Sequence, residues 1–349
     1  MKAGLVGFPG VVKTTIFRAL TGLESTAGAA ARRPDRPALG VIKVPDRRLD
    51  ALAEIYRPRK VTPAEICFVD FPAPPHTSRL SLDAGIVTQM RELDAFALVV
   101  RGFTDALGEP ANPALELRAF LDELLLADLG VVEKRLERLR KEKGSEQERG
   151  ILDRCRDALE EGRSLRQIGL RADEDRLLSA FAFVSLKPAL VVLNVADAEV
   201  NAPLPPEFLR VAEEVGVPAM AVCGQIEMEV GELPPDEQGP YLRELGIAEP
   251  ARDRFIQASY ALLSLVSFLT VGADEVRAWP IRAGTPAVKA AGKIHSDIER
   301  GFIRAEVIRF EDLIEHRSEA KCREVGVQRV EGRDYIVQDG DVIHFRFAV

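Results

Sequence analysis

The sequence predicts an α/β fold, a doubly wound parallel sheet with a helical insertion, followed by a smaller mixed α+β unit. Three observations support this prediction. Apolar runs alternate with amphipathic stretches over the first hundred residues, which is typical of a parallel sheet covered by helices. Apolar residues then fall at helical spacing before buried strands resume, and the last eighty residues mix short strands with one helix. At 349 residues the chain is also too long for one ordinary core.

The sheet elements follow from short apolar runs bounded by turn residues. We expect buried strands at 3–6, 40–44, 66–69, 96–100, 189–193 and 219–223, with helices at 13–23 and 48–55. The first strand leads through a glycine-containing turn directly into the first helix.

The helical insertion extends from about residue 113 to residue 185. Its charged stretch EKRLERLRKEKGSEQERG contains Gly144-Ser145, a plausible tip between two antiparallel helices. The charges are typical of a solvated helical face, and a specific basic binding stripe is the less favoured alternative.

The last unit is predicted from strands at 276–279, 302–308 and 341–347 and a helix at 286–291. The segment Gln338-Asp-Gly-Asp341, directly before the final strand, is a strong turn signal.

Composition excludes several classes of protein. The net charge of −8 argues against nucleic-acid binding by bulk charge, so any such binding needs a local basic face. The cysteines Cys67, Cys155, Cys223 and Cys322 form no CxxC pair, which argues against a disulfide framework or a zinc site. There is no secretory segment and no apolar run long enough to span a membrane, so we expect a cytoplasmic protein without membrane contact.

The stretch GFPGVVKTT, residues 7–15, comes close to a phosphate-binding loop. Gly7, Lys13 and Thr14 fit the pattern G-x-x-x-x-G-K-[ST], but Val12 stands where the second glycine belongs. Backbone N–H groups at such a turn face phosphates, the lysine reaches the terminal phosphates, and the hydroxyl ligates Mg²⁺. Asp70, at the end of a buried strand, is a candidate carboxylate for the same metal, or else a cap or turn former.

A second pattern, Asn194-Val-Ala-Asp197, follows the fifth strand, where GTP-binding folds read the base. A carboxylate there accepts from guanine, and the residue after the asparagine packs along the base; Val195 replaces the usual lysine. The predicted nucleotide-binding residues are Gly7, Gly10, Val11, Val12, Lys13, Thr14, Thr15, Asn194, Val195 and Asp197. Lys13 is the predicted catalytic residue, and Thr14 and Asp70 are the predicted metal ligands.

Long segments resemble one family. They are EVRAW (275–279), AAGKIHSDIERGFIRAEV (290–307), YIVQDGDVIHFRF (335–347), LADLGVVEKRLERL (126–139) and VPDRRLDALAEI (44–55). On these segments the chain is identified as a member of the YchF/Obg-like ATPase family of P-loop proteins, over nearly its whole length.

The resemblance implies a doubly wound P-loop NTPase (G) domain with an inserted coiled-coil hairpin and a C-terminal TGS domain, which is a ubiquitin-like β-grasp module. The corresponding division is 1–112 and 186–266 for the G domain, 113–185 for the helical insertion and 267–349 for the TGS domain. It also implies binding of ATP or GTP, often ATP by preference, with Mg²⁺ as cofactor. Association with the ribosome or ribosomal RNA through the helical and TGS parts is implied too, and we expect a monomer.

The departures from the family pattern fall at the predicted nucleotide site. The family loop reads G-x-P-N-V-G-K-S, so Gly10 replaces asparagine, Val12 replaces glycine and Thr14 replaces serine. Pro34 aligns with the switch I threonine that would complete the Mg²⁺ shell, and Ala73 replaces the switch II glycine that senses the γ-phosphate. The usual NxxE at the base site is NxxD here.

These replacements differ in their expected effects. Val12 keeps its N–H, but its branched Cβ crowds the phosphates and excludes a positive φ, so Gly10 would have to relax the loop. The absence of a hydroxyl at Pro34 and of a glycine at Ala73 lowers hydrolysis more than binding. Two interpretations stay open: a ribosome-associated regulatory NTPase with weak hydrolysis, and a pseudo-NTPase that serves as a ribosome- or RNA-binding adaptor. The sequence leaves the choice between ATP and GTP open.

Overall fold

A computed structural model describes residues 2–21, 37–71, 80–141 and 145–348. Pro34 and Ala73, which bear on the predicted Mg²⁺ shell and γ-phosphate contact, lie outside the described residues. The chain forms two compact units, Met1–Ile42 with Cys67–Ser259, and Lys43–Ile66 with Tyr260–Val349.

The strands are β1 (Lys2–Val6), β2 (Ala38–Lys43), β3 (Lys60–Thr62), β4 (Glu65–Asp70), β5 (Ala95–Arg101), β6 (Ala189–Asn194), β7 (Ala219–Val222), β8 (Leu265–Thr270), β9 (Glu275–Arg282), β10 (Phe302–Arg309), β11 (Arg329–Glu331) and β12 (Asp341–Phe347). The α-helices are α1 (Lys13–Thr21), α2 (Arg47–Tyr56), α3 (Ala84–Met90), α4 (Pro113–Lys141), α5 (Glu146–Glu160), α6 (Ala172–Leu178), α7 (Pro206–Glu214), α8 (Gly224–Glu232), α9 (Pro235–Glu244), α10 (Ala251–Leu262), α11 (Ala287–Ile294), α12 (Ser296–Arg300), α13 (Phe310–His316) and α14 (Glu319–Glu324).

The first unit is built on a sheet of six described strands in the order β2-β4-β1-β5-β6-β7. The pairs from β4 through β7 are parallel, and β5 and β6 are buried along their whole length. The predicted doubly wound fold is therefore confirmed. Because parallel strands in such a sheet end at one edge, the carboxyl ends of β1, β4, β5, β6 and β7 lie together there.

Helices α4 and α5 form a hairpin with an apolar core of its own. Arg135 and Glu148 make an ion pair of 2.7 Å between them, and the Arg149 guanidinium donates to the Leu139 carbonyl, which fits antiparallel helices. The core residues are Leu125, Val132, Leu136, Leu139, Ile151, Leu152, Cys155, Leu159, Leu165, Leu178 and Phe183. The other half of α4 packs against the main sheet, where Phe120 meets Phe8 edge to face at 5.3 Å between ring centroids.

The second unit contains a mixed sheet of six described strands in the order β11-β10-β12-β8-β9-β3. Helix α11 contributes Ala287, Ala290 and Ala291 to the core that this sheet shares with it. The predicted turn is confirmed, since Gly340 has φ +82° and the Asp341 carboxylate accepts from the Gln338 N–H. The assignment of this unit as a β-grasp (TGS) domain stays a prediction from the resemblance.

Residues 43–66 belong to this second unit, although the sequence-based division placed them in the first part of the G domain. Strand β3 pairs in parallel with β9, and the Arg48 guanidinium bridges Asp46 and Asp339 at 2.8 and 2.7 Å. Asp339 also accepts from the Ser267 N–H at 2.7 Å. The β3–β9 pairing and the Arg48–Asp339 ion pair join residues more than 200 positions apart, which local patterns do not reveal. The predicted boundaries at 112, 185 and 266 stay predictions.

None of the helices in the described ranges combines the length and the apolar character needed to cross a membrane.

Candidate functional site

The loop after β1 leads at the carboxyl edge of the first sheet into α1, as predicted. Gly7 has φ +152°, and a Cβ there would lie 2.3 Å from the Val99 carbonyl oxygen, so only glycine fits. Gly10 has φ +85° with open space around it. Val11 is buried, whereas Thr15 lies in the first turn of α1, where its N–H donates to the Val12 carbonyl.

Val12 adopts the left-handed conformation, with φ +62°, so the expectation that a β-branched residue excludes a positive φ here is wrong. Val12 is 42% exposed. The backbone around it is fixed, because its carbonyl accepts from Thr15 and Ile16 at the start of α1. The loop therefore holds a backbone conformation that favours glycine, at a conformational cost of about 1–3 kcal/mol.

The Lys13 ammonium is folded back onto its own loop. Nζ donates to the carbonyl oxygens of Gly7 at 2.7 Å and Phe8 at 3.0 Å, and the side chain is buried. This burial lowers the pKa of Lys13 to about 8, and the carboxylates of Asp70 and Glu116 oppose the shift. A cation held by two carbonyls is ready to exchange them for stronger anionic acceptors.

Thr14 and Asp70 come together across the loop. The Thr14 hydroxyl donates to Asp70 Oδ2 at 3.1 Å, and Asp70 is the last residue of β4 and buried. A hydroxyl and a carboxylate are hard oxygen ligands of the kind Mg²⁺ prefers, and Mg²⁺ commonly uses one or two protein groups together with phosphates. The two predicted metal ligands therefore fit that ion.

The side-chain amide of Asn194 is hydrogen-bonded to the loop and is not open to solvent at the edge of the sheet. Its Nδ2 donates to the Val11 carbonyl at 3.1 Å, and its Oδ1 accepts from the Gly224 N–H at 3.1 Å. Both ends of the buried amide are thus satisfied. The sequence pattern placed Asn194 at this edge, but its link to Gly224, the first residue of α8, is visible only in the structure.

Val195 and Asp197 lie in the segment that follows β6, at the same edge of the sheet. Val195 is buried and donates its N–H to the Val222 carbonyl at 3.0 Å. Asp197 is exposed, and its Oδ1 accepts from the Cys223 thiol at 3.0 Å. Burial raises the pKa of that thiol to about 11, so it stays protonated and can donate.

A cavity of about 590 Å³ opens beside these residues, between the segments that follow β5 and β6. Its walls are mainly apolar, from Gly102, Phe103, Pro110, Ala111, Pro113, Leu193, Val195, Ala196, Ala198, Ala202, Pro203, Leu204, Pro205 and Ala221, with Thr104 and Glu199 as polar members. Sequence reasoning missed Phe103. The available signal was its position two residues after the end of β5, at the same edge as the loop and Asn194.

Known proteins resemble this chain over its whole length. The family profile YchF-GTPase_C, described as a protein of unknown function (DUF933), matches residues 265–348. The "Ribosome-binding ATPase YchF" of Pasteurella multocida is 40% identical, with 100% of this chain and 99% of that protein covered. The protein of the same name from Bacillus subtilis is 36% identical, with full coverage of both. The chain belongs to the YchF family.

The fold of the YchF family is also found in a solved structure. The YchF GTPase of Schizosaccharomyces pombe superimposes with a TM-score of 0.89 at 27% identity, over 99% of this chain and 97% of that one. The resemblance read from the sequence is therefore confirmed, together with the P-loop fold, its helical insertion and a C-terminal domain.

Replacing Val12 by glycine should raise the free energy of unfolding relative to Val12→Ala by about 1 kcal/mol, because only glycine adopts a positive φ without strain. Denaturant unfolding of the two variants without nucleotide measures this difference. Val12→Ala is the matched control, since it removes the branched side chain but keeps the Cβ. A glycine variant less stable than the alanine variant would show that the left-handed backbone carries no strain.

Proposed function

We propose that this YchF-family chain binds a nucleoside triphosphate with Mg²⁺ at the loop of residues 7–15, hydrolyses it slowly, and acts on the ribosome. The observation that carries this proposal is the grouping of Lys13, Thr14 and Asp70 around a glycine turn between a buried strand and a helix. Each of the three supplies one requirement of phosphate and metal binding.

The phosphates would replace the carbonyls that Lys13 now contacts. An anionic oxygen is a stronger acceptor than a neutral carbonyl, so Nζ would leave Gly7 and Phe8 for it. The N-terminus of α1 and the loop N–H groups add donors. Thr14 and Asp70 would hold Mg²⁺, which when bound neutralises phosphate charge.

The base would occupy the cavity beside Val195. Phe103 and Val195 offer flat and apolar walls to either purine. Asp197 stands next to this cavity and can accept from guanine N–H groups, whereas its present donor is the Cys223 thiol. The relatives are named ATPases and the solved structure a GTPase, so we keep both triphosphates as candidates.

Slow turnover follows from the sequence at two positions. Pro34 has no hydroxyl to complete the metal shell, and Ala73 replaces the glycine expected near the γ-phosphate. Such interactions strengthen in the transition state, and a single one is worth about 2.7–4 kcal/mol in other enzymes. We therefore expect the deficit mainly in hydrolysis, and less in binding.

The ribosome is the proposed partner because the relatives that match over the whole chain carry that name. A cytoplasmic location follows from the same proposal. The second candidate is a pseudo-NTPase adaptor on the ribosome. It is favoured by the self-satisfied state of Lys13, whose hydrogen bonds to Gly7 and Phe8 must break before phosphate binds.

Calorimetric titration with ATP and GTP, with and without Mg²⁺, and single-turnover assays separate the two candidates. We expect Mg²⁺-dependent binding and slow hydrolysis. Lys13→Ala should abolish both. Lys2→Ala, which removes an exposed lysine, is the control and should abolish neither. Val12→Gly should bind more tightly with turnover still slow, because Pro34 and Ala73 remain. Binding without any hydrolysis supports the adaptor. An unchanged affinity of Lys13→Ala for ATP and GTP contradicts both candidate functions.

The cavity assignment predicts that Phe103→Ala weakens ATP and GTP binding about tenfold or more, since stacking of a base on an aromatic ring is worth about 1–3 kcal/mol. Phe103→Leu, which keeps apolar bulk, should have a smaller effect. Inorganic tripolyphosphate has no base, so its affinity should stay the same in both variants. If Phe103→Ala weakens tripolyphosphate as much as ATP, the base does not lie in this cavity.

The lowered pKa of Lys13 predicts a pH dependence. In the free protein the ammonium is deprotonated above about pH 8, whereas bound phosphate would hold the proton. Affinity for ATP should therefore fall as pH rises above 8, by up to about tenfold per pH unit, with proton uptake visible by calorimetry in buffers of different ionisation enthalpy. Lys13→Arg, which does not titrate there, should show no such fall. A wild-type affinity that is constant from pH 8 to 9 would refute this.

A further inference from the structure

A buried arginine lies at the start of the loop that forms one wall of the cavity. Residues 102–112, which we call the cavity loop, follow β5 and lead into α4 without regular secondary structure. The cavity-lining residues of this loop are Gly102, Phe103, Thr104, Pro110 and Ala111. Arg101, the last residue of β5, is only 7% exposed. The loop is therefore preceded by a charged side chain that points to no solvent.

The Arg101 guanidinium joins the two ends of the cavity loop. Its Nη1 donates to the carbonyl oxygens of Phe103 at 2.8 Å and Glu109 at 3.0 Å. Its Nη2 donates to the Pro110 carbonyl at 3.4 Å. Phe103 lies in the part of the loop that leaves β5, whereas Glu109 and Pro110 lie in the part that returns to α4. One side chain therefore sets the distance between the two parts that carry the cavity-lining residues.

The main chain of Arg101 is itself fixed. Its N–H donates to the buried Glu116 carboxylate at 3.3 Å, and Arg101 lies opposite Asn194 in the β5–β6 pairing. The next residue, Gly102, donates its N–H to the Asn194 carbonyl at 2.8 Å. Asn194 also holds the loop before α1. The guanidinium is therefore supported by the same residue that fixes the candidate phosphate loop.

A simpler role for Arg101 is to stabilise the fold, because buried carbonyls need hydrogen-bond donors. That role gives no reason for a charged side chain, since burying a charge is costly and neutral donors would satisfy carbonyls as well. A planar guanidinium differs from other donors in that its several N–H groups have a fixed mutual geometry. Holding three carbonyls of one loop at set positions uses that property. The bonds of Arg101 therefore favour a role in the shape of the cavity wall.

We propose that Arg101 is a positioning residue for the nucleotide base. Through the carbonyls of the cavity loop it holds the Phe103 ring where the base stacks, and it does not itself contact the nucleotide. This inference rests on the proposed function, since it concerns the base cavity of that site. The affinity that Arg101 contributes should therefore appear with ATP and GTP and be absent with inorganic tripolyphosphate, which has no base.

Calorimetric titration of the full-length chain with Mg²⁺ and each of these three ligands tests the proposal. Arg101→Lys keeps the charge but loses the planar set of donors. It should weaken ATP and GTP binding by about threefold or more, without exceeding the loss in Phe103→Ala, and leave tripolyphosphate affinity unchanged. Because Arg101 acts through Phe103, the double variant Arg101→Lys/Phe103→Ala should bind ATP as Phe103→Ala does, within about twofold.

Arg91→Lys is the matched control. Arg91 also donates to three main-chain carbonyls, those of Ala127, Phe181 and Ala182, and none of these residues lines the cavity. The control variant therefore makes the same chemical change at another loop, and its affinity for ATP and GTP should equal that of the wild type.

Hydrogen exchange without nucleotide tests the hold of Arg101 on the loop independently of binding. Amides of residues 102–112 should exchange faster in Arg101→Lys than in the wild type and in Arg91→Lys, because the two parts of the loop are no longer joined. Circular dichroism monitors folding. If Arg101→Lys unfolds, Arg101→Gln, which keeps two N–H donors, takes its place in both measurements.

Several outcomes would overturn the inference alone, in a wild type that binds ATP or GTP. They are an Arg101→Lys variant with wild-type affinity, equal losses for ATP and tripolyphosphate, a further loss of ATP affinity on top of Phe103→Ala, and unchanged exchange at 102–112. A wild type that binds neither ATP nor GTP overturns the proposed function instead. Faster exchange in Arg101→Lys would then still show that Arg101 holds the loop.

Discussion

The side-chain amide of Asn194 makes the hydrogen bonds on which the candidate site depends. It joins the loop after β1 to the start of α8 through Val11 and Gly224, and thereby fixes three chain segments at one edge of the sheet. Because the amide is buried, leaving either end without a partner costs about 1–3 kcal/mol. That cost opposes any movement of the loop, and it helps to explain why Val12 keeps a left-handed backbone instead of relaxing.

The same fixed loop determines the state of Lys13. With Gly7 and Phe8 held in place, their carbonyls form a ready acceptor pair, and the burial that this requires lowers the lysine pKa. Phe8 is in turn packed on Phe120 of α4, the helix that continues into the hairpin core. The loop of residues 7–15 is therefore held on its buried side and open on the side of the exposed Val12. Stiffness of this kind suits ligand binding, because little ordering remains for the ligand to impose.

The second unit includes a segment that is distant in the sequence from the rest of that unit. Residues 43–66 supply α2 and β3, and Asp339 fastens them through Arg48 while it also receives the Ser267 N–H. Without this arrangement Lys60 would not lie beside Glu275. The chain therefore passes between its two units more than once along the sequence.

Local patterns determined most of the elements and the place of the loop before α1. The alternation of apolar residues, the glycine turn before Lys13 and the Asp-Gly turn at 339–340 each act over a few residues, so the sequence alone specified them. The family resemblance followed from contiguous segments in the same way. The conformation of Val12, the cavity wall at Phe103 and the docking of residues 43–66 were decided only by the tertiary structure. Each of them is set by partners distant in the chain, whose contacts override local preference and leave no periodic trace in the sequence.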